Sequence, residues 1–417
     1  MRGGSIGSSR TPGGAVASRE GDRVTTLELF FDLAYVFAFT QLSRLMAQQH
    51  DALGTVQALV ILALLWWAWT SYGWLTNRAH ADQGVVRVAI IVGMTSMFIA
   101  GVVVLEAYHD LPGGLSGPLV FVGAYLVARV THAIVFVWLA EPGLRRRTLV
   151  TVTLSMLPSG TLLLVGALLG APWQLWFTIA AVAIEPIVSY RTSAGIAWPV
   201  RSTAHFTERH GLIVILALGE SILGIGAGAA TRPISIGILL GVVLSMLICI
   251  ALWWAYFTRL AGDAEHALTS LPARDRGRTA TDAYTYLHLS LVGGIVLAAV
   301  GLEVAMAHIE SASGLGLFGA AAIGGGVACY LAGTAFFERR LLGTWNIVRL
   351  VTAALLLVLT PVIGILWPLL SLTAVVAALV GVFVAERNFS PATPERRDRA
   401  RLSRRAQQAA RVRRWRS

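Results

Sequence analysis

Apolar residues in this chain fall into long runs, and most of the charged residues lie in the stretches between and beyond them. The runs lie near 27–47, 52–76, 85–107, 116–140, 148–170, 172–190, 208–228, 233–257, 282–306, 314–337, 345–366 and 368–386. Each is long enough, at about 1.5 Å per residue, to cross the roughly 30 Å hydrocarbon core of a bilayer as a helix. The pattern predicts an all-α integral membrane protein with about twelve transmembrane helices. Gly170-Ala-Pro172 and Leu366-Trp-Pro368 mark tight hairpins between neighbouring runs. The connections 191–207 and 258–281 are the longest, and both are too short for a folded soluble domain.

Charge placement orients these runs. Arg78, Arg145 to Arg147, Arg191, Arg201, Arg259, Arg274, Arg276, Arg278, Arg339 and Arg340 follow even-numbered runs. The stretches after odd-numbered runs hold Arg232, with Arg44 at a helix end. Arginine accumulates on the cytoplasmic side of a membrane, so both termini are expected there.

The two halves also echo each other. Leu27-Glu28 matches Thr207-Glu208, Trp66-Trp67-Ala68-Trp69 matches Trp253-Trp254-Ala255-Tyr256, and Leu105-Glu106 matches Leu302-Glu303. Tyr125-Leu126 matches Tyr330-Leu331, Arg146 matches Arg349, and Glu185 matches Glu386, all in one order. Six helices per unit is an even number, so the units form a parallel 6+6 internal repeat. The resulting organisation is a disordered cytosolic leader at 1–23, a first repeat at 24–190, a cytosolic linker at 191–207, a second repeat at 208–387 and an Arg-rich tail at 388–417.

Composition excludes other classes. Only 13% of the 417 residues are charged, against roughly 25% in an average soluble domain, so the chain cannot clothe itself in water. From Arg387 onward there are 11 arginines against Glu395 and Asp398, which leaves the apolar body close to neutral. The tail can place Leu402, Ala406, Ala409, Val412 and Trp415 on one stripe against anionic lipids, and no nucleic-acid recognition fold accompanies it. Cys249 and Cys329 sit inside apolar runs and imply no disulfide framework. Neither a cofactor motif nor a metal-ligand set is present.

Ionisable groups inside apolar runs are the candidates for chemistry, because each is costly in lipid unless it faces protein or water. Glu28 and Asp32 stand four apart and stack on one helix face, as a proton- or cation-binding pair or as a cap paired with Arg23 or another loop arginine. Glu220, followed by Ser221, lies deep in the seventh run with nothing in its own sequence to neutralise it. Arg129 and His132 share a face in mid-helix, and Arg129 needs Glu220, Asp32, Glu185 or Glu106 as its partner. Convergence of Asp32, Arg129 and Glu220 on one mid-membrane cavity is the expectation. His205, Glu208, Arg209 and His210 form a further cytosolic-side polar cluster, whose spacing is not that of a zinc helix.

Two of these segments together resemble a known family. Thr26-Leu-Glu28-Leu-Phe-Phe-Asp32-Leu-Ala-Tyr35 and His205-Phe-Thr-Glu208-Arg209-His210-Gly, the latter running on to Gly219-Glu220-Ser221, are similar to the bacterial low temperature requirement A (LtrA) family of multi-pass membrane proteins. The resemblance spans about 23–387 and implies a placement, in the bacterial cell (inner) membrane, more than a mechanism. The leading functional expectation is a secondary transporter with carboxylate-based coupling to a proton or cation, moving an unknown small solute or ion. A cation channel, a membrane scaffold and an intramembrane lipid-modifying enzyme are the alternatives. The enzyme reading requires His205, Glu208, His210, His80 and Asp82 to gather around one cavity.

Overall fold

The computed structural model describes residues 15–19, 21–192, 199–230 and 233–389. Most of the tail, with its Leu402 to Trp415 stripe, lies outside the described residues, as do 1–14, 193–198 and Arg232. Among the described residues there is no β-sheet; the chain is helix after helix.

The first six helices are α1 (Thr26–Gln49), α2 (Ala52–Arg78), α3 (Gly84–Val102), α4 (Gly117–Trp138), α5 (Pro142–Leu169) and α6 (Trp173–Thr192). Then come α7 (Thr203–Ala229), α8 (Ile236–Phe257), α9 (Leu260–Ser270), α10 (Ala273–Ala280), α11 (His288–Ala307) and α12 (Gly316–Leu342). The chain closes with α13 (Ile347–Val358), α14 (Thr360–Ile365) and α15 (Pro368–Phe389). Polar side chains set the starts. Thr25 and Glu28 form a capping box on α1, and Asp51, Ser202, Ser235 and Asn346 each accept a first-turn N–H on α2, α7, α8 and α13. Gly343 ends α12 in the left-handed conformation at φ 72°, which glycine adopts without a Cβ clash.

Among the described residues, ten helical stretches are long and apolar enough to cross a membrane. The two runs outside that set are α6, which carries Gln174, Glu185 and Pro186, and the run at 345–366, which breaks at Leu359 into α13 and α14. Several expected boundaries shift. The third run leaves the α-helix at Val102 for a short 3₁₀ turn. The seventh helix starts at Thr203 rather than 208, because Ser202 caps it, so His205 is helical and the linker is shorter than expected. The connection at 258–281 folds into α9 and α10. The signal for α9 was present: Leu260, Ala264 and Leu268 recur every four residues and are buried, with Asp263, Glu265 and His266 between them.

Helices differ in how much neighbouring protein covers them. The stretch Ala273–Ala307, which ends in α11, has 78% of its apolar window buried, whereas α5 has 28%. Leu149, Leu154, Leu157, Leu164 and Leu168 of α5 and Leu239, Val243, Leu247 and Ile250 of α8 are exposed, a distribution that lipid tolerates and water does not. Close approach at the centre uses glycine: a Cβ on Gly294 of α11 would lie 2.7 Å from the Gly326 carbonyl oxygen of α12.

Thr281–Leu287, joining α10 to α11, is wound as a π-helix. The wider turn leaves acceptors for α2: the Trp66 indole donates to the Thr285 carbonyl at 2.7 Å and the Trp74 indole to the Thr285 hydroxyl at 3.0 Å. The described part of the expected disordered leader is ordered by backbone pairing. Ala17 bridges Ala79, Ser18 N–H donates to Arg78 O, and His80 N–H donates to Val16 O, so residues 16–18 satisfy groups left open at the end of α2.

Candidate functional site

Glu28, Asp32, His205 and Arg209 gather where α1 and α7 meet. The spacing explains the meeting: Glu28 and Asp32 stack four apart on α1, and His205 and Arg209 stack four apart on the facing side of α7. Arg209 lies between the carboxylates, 2.7 Å from Glu28 Oε1 and 3.1 Å from Asp32 Oδ1. His205 Nε2 is 2.9 Å from Glu28 Oε1. Glu28 Oε2 also accepts from the Thr25 backbone and hydroxyl, so this residue is both cap and ion-pair partner. The Trp69 indole of α2 donates to Asp32 Oδ1 at 2.8 Å, and the Arg209 guanidinium lies 5.5 Å from the Phe31 and Trp69 ring centroids. Relative exposure is 0% for Glu28 and Asp32, 1% for Arg209 and 4% for His205, so water screens none of these charges.

The hydrogen-bond network assigns the His205 tautomer. Arg201 N–H donates to Asn77 Oδ1, which turns the Asn77 amide nitrogen toward the Ser202 carbonyl and His205 Nδ1. His205 Nδ1 is therefore an acceptor, and Nε2 carries the proton that it donates to Glu28. Asp32 Oδ2 is buried and has no hydrogen-bond partner among the described residues.

Arg129 occupies a different place. Its guanidinium pairs with Glu185 of α6 and donates to the Ser71 hydroxyl of α2. Trp69 and Ser71 are two residues apart on α2 and so face opposite ways, which puts that helix between Asp32 and Arg129. His132 stacks on Phe136 with ring centroids 5.1 Å apart. Glu220 forms a third locus, where its carboxylate accepts from the Thr40 hydroxyl of α1 at 2.5 Å. Thr40 is eight residues beyond Asp32, about 12 Å along the helix. Ser221 is buried beside it with no partner for its hydroxyl among the described residues.

The expected convergence of Asp32, Arg129 and Glu220 is thus corrected to three separate loci. Arg129 takes Glu185 from its four possible partners, Asp32 takes Arg209, and Glu220 takes a hydroxyl. The cytosolic-side cluster also divides. Only His205 and Arg209 join the carboxylates. Glu208 turns to the Val24 N–H and, at 3.7 Å, to the exposed Arg23. His210 lies among Trp66, Trp69, Phe206, Tyr284 and His288, and its Nδ1 faces the Phe206 carbonyl. His80 pairs with Asp22 at 3.3 Å, so the groups that an enzyme reading would unite are dispersed. Among the described residues no group of three or more potential metal ligands is found. Sequence reasoning missed Trp69, Thr40 and the pairing of Arg209. The four-residue spacing of His205 and Arg209, matching that of Glu28 and Asp32, was the available signal.

Comparison with known proteins places the chain. The family described as "Bacterial low temperature requirement A protein (LtrA)" matches residues 23–384. An uncharacterized protein of Rhizobium meliloti (strain 1021) is 31% identical over 326 residues, covering 75% of this chain and 76% of its own. No solved structure matches.

Proposed function

We propose a transport function on the premise that the chain belongs to the bacterial low temperature requirement A family. It is a secondary transporter whose two halves rock about the α1–α7 seam, with Asp32 as the coupling proton site. The observation that carries this reading is the buried set at that seam. Two carboxylates face one guanidinium, and the tautomer assigned to His205 is neutral, so the set is one positive charge short. One proton completes it, and the atom without a donor, Asp32 Oδ2, is where it binds. An uncompensated charge at such a site is expensive, so exchange of the proton biases the seam between arrangements. Burial of all four groups favours alternating exposure over a standing cation pore.

Helix packing supports a 6+6 parallel repeat. The neighbour pairs α1–α2, α1–α3, α3–α4, α4–α5 and α2–α6 recur as α7–α8, α7–α11, α11–α12, α12–α13 and α8–α15. The matched acids agree: Glu185 is held by Arg129, and Glu386 by Arg349 at 2.6 Å. In this reading α6 and the α13–α14 pair complete twelve crossings. The face where α1 begins is cytoplasmic, in keeping with the arginines that crowd the loops beside it.

Infrared difference spectroscopy of the purified protein in lipid, taken across a pH titration, tests the proton site without knowledge of the solute. A carbonyl band of a protonated carboxylic acid is expected in the wild type and in Glu220→Gln, and is expected to disappear in Asp32→Asn. Identical spectra for wild type and Asp32→Asn would remove the proposal.

A further inference from the structure

An open groove of about 620 Å³ runs between the last turn and a half of α6 and the end of α12, with the π-helical turn at 281–287 between them. Ile187, Tyr190 and Arg191 line it from α6, Leu287 from the turn and Arg340 from α12. A neighbouring depression shares Leu287 and Arg340 and extends the groove to Phe336 and Arg339. The Tyr286 hydroxyl donates to the Pro186 carbonyl at 3.0 Å and ties α6 to the turn beneath the groove.

Both walls follow one pattern. On α6 an apolar residue, Ile187, is followed four positions later by Arg191; on α12 Phe336 is followed four positions later by Arg340. Residues four apart share a helix face, so each wall is apolar and then basic one turn further along. Ile187 and Phe336 are exposed, as side chains that meet lipid are. The basic end has excess charge. Arg340 pairs with Asp282 at 2.8 Å, whereas Arg191 and Arg339 have no carboxylate partner among the described residues. Arg339 donates to the Gly343 carbonyl and lies 5.4 Å from the Trp345 ring centroid, contacts that leave its charge uncompensated. The acids nearest in sequence are turned elsewhere, Glu185 to Arg129 and Glu338 to Thr344 and Asn346. Trp345 is exposed beside this end, as aromatic side chains are at the headgroup level.

The occupant that satisfies both ends is anionic at one end and hydrocarbon at the other. A soluble anion leaves Ile187, Leu287 and Phe336 uncovered, and a neutral lipid leaves the arginines unmatched. The chain's own tail has the wrong sign, with 11 arginines against Glu395 and Asp398 from Arg387 onward. Basic pockets between membrane helices take lipid headgroups by the same combination. We propose that this groove holds one anionic phospholipid, its phosphate on Arg191, Arg339 and Arg340 and the start of an acyl chain along Ile187, Leu287 and Phe336. The assignment needs the membrane placement and is independent of the proton site at Asp32.

Photolabelling of the full chain in phosphatidylcholine nanodiscs tests it. The probe is a trace of phosphatidylglycerol with a diazirine near the start of one acyl chain. Peptide mapping is expected to find adducts on Ile187, Leu287 and Phe336, at least about fivefold above those from a phosphatidylcholine with the same chain. Arg191→Gln and Arg339→Gln are each expected to lower the yield about fivefold. Asp282→Asn removes the carboxylate that competes for Arg340 and is expected to raise it by about the same factor, a gain that a damaged fold does not produce. Thermal unfolding of all three variants is expected to stay near wild type. Equal labelling by the two lipids, adducts confined to the tail or to other helices, or wild-type yields in all three variants would overturn the assignment. Loss of the adducts in inorganic phosphate but not in chloride of equal ionic strength would also overturn it, by making the groove a site for a soluble anion.

Discussion

At the scale of single residues, burial decides which ion pairs matter. Arg23 and Glu208 are 3.7 Å apart with Arg23 71% exposed, so Arg23→Ala is expected to cost no more than about 1 kcal/mol. Arg209→Met strands two fully buried carboxylates and is expected to cost on the order of 3–5 kcal/mol. Adding Glu28→Gln and Asp32→Asn to Arg209→Met is expected to recover much of that loss, because no charge is then left alone. Thermal unfolding in one detergent orders the variants, and an Arg209→Met protein as stable as wild type would refute the electrostatic account. Which residues carry buried charge was legible in the sequence, since Asp32, Arg129 and Glu220 interrupt apolar runs. Their partners were not. Asp32 and Arg209 are 177 positions apart, and only the packing of α1 on α7 selects that pair over Arg23 or Arg129.

At the scale of elements, the apolar runs were readable because membrane helices must satisfy their own backbone groups. Interruptions were harder to read. Val102 and Leu359 leave hydrophobicity unchanged while altering the hydrogen-bond register. Close crossings were also invisible, because a glycine in an apolar run can face lipid or a neighbouring backbone. Gly294 faces the Gly326 carbonyl, whereas a methyl group added at Gly226 would meet nothing within 4 Å. Gly294→Ala is therefore expected to destabilise by about 1–3 kcal/mol, and Gly226→Ala to be neutral or mildly stabilising. Thermal unfolding of the two variants side by side checks this, and equal behaviour would contradict the α11–α12 contact.

At the scale of the whole molecule, α6 and the α13–α14 pair decide the crossing number. With Cys249 and Cys329 replaced by alanine, single cysteines at Ala171 and Pro199, on either side of α6, are expected to react with an impermeant maleimide from opposite sides of the membrane. Labelling of both from one side would exclude α6 as a crossing and with it the twelve-helix arrangement. The start of the chain bears on motion between the halves. Residues 16–18 are laced to 78–80 at the end of α2, while Val24 N–H reaches Glu208 on α7 and the Ser202 hydroxyl reaches the Asp22 carbonyl. One short peptide thus fastens both sides of the seam like a buckle. Any movement that parts α2 from α7 on this face has first to unfasten it, so its strength would set a threshold force for the cycle proposed above.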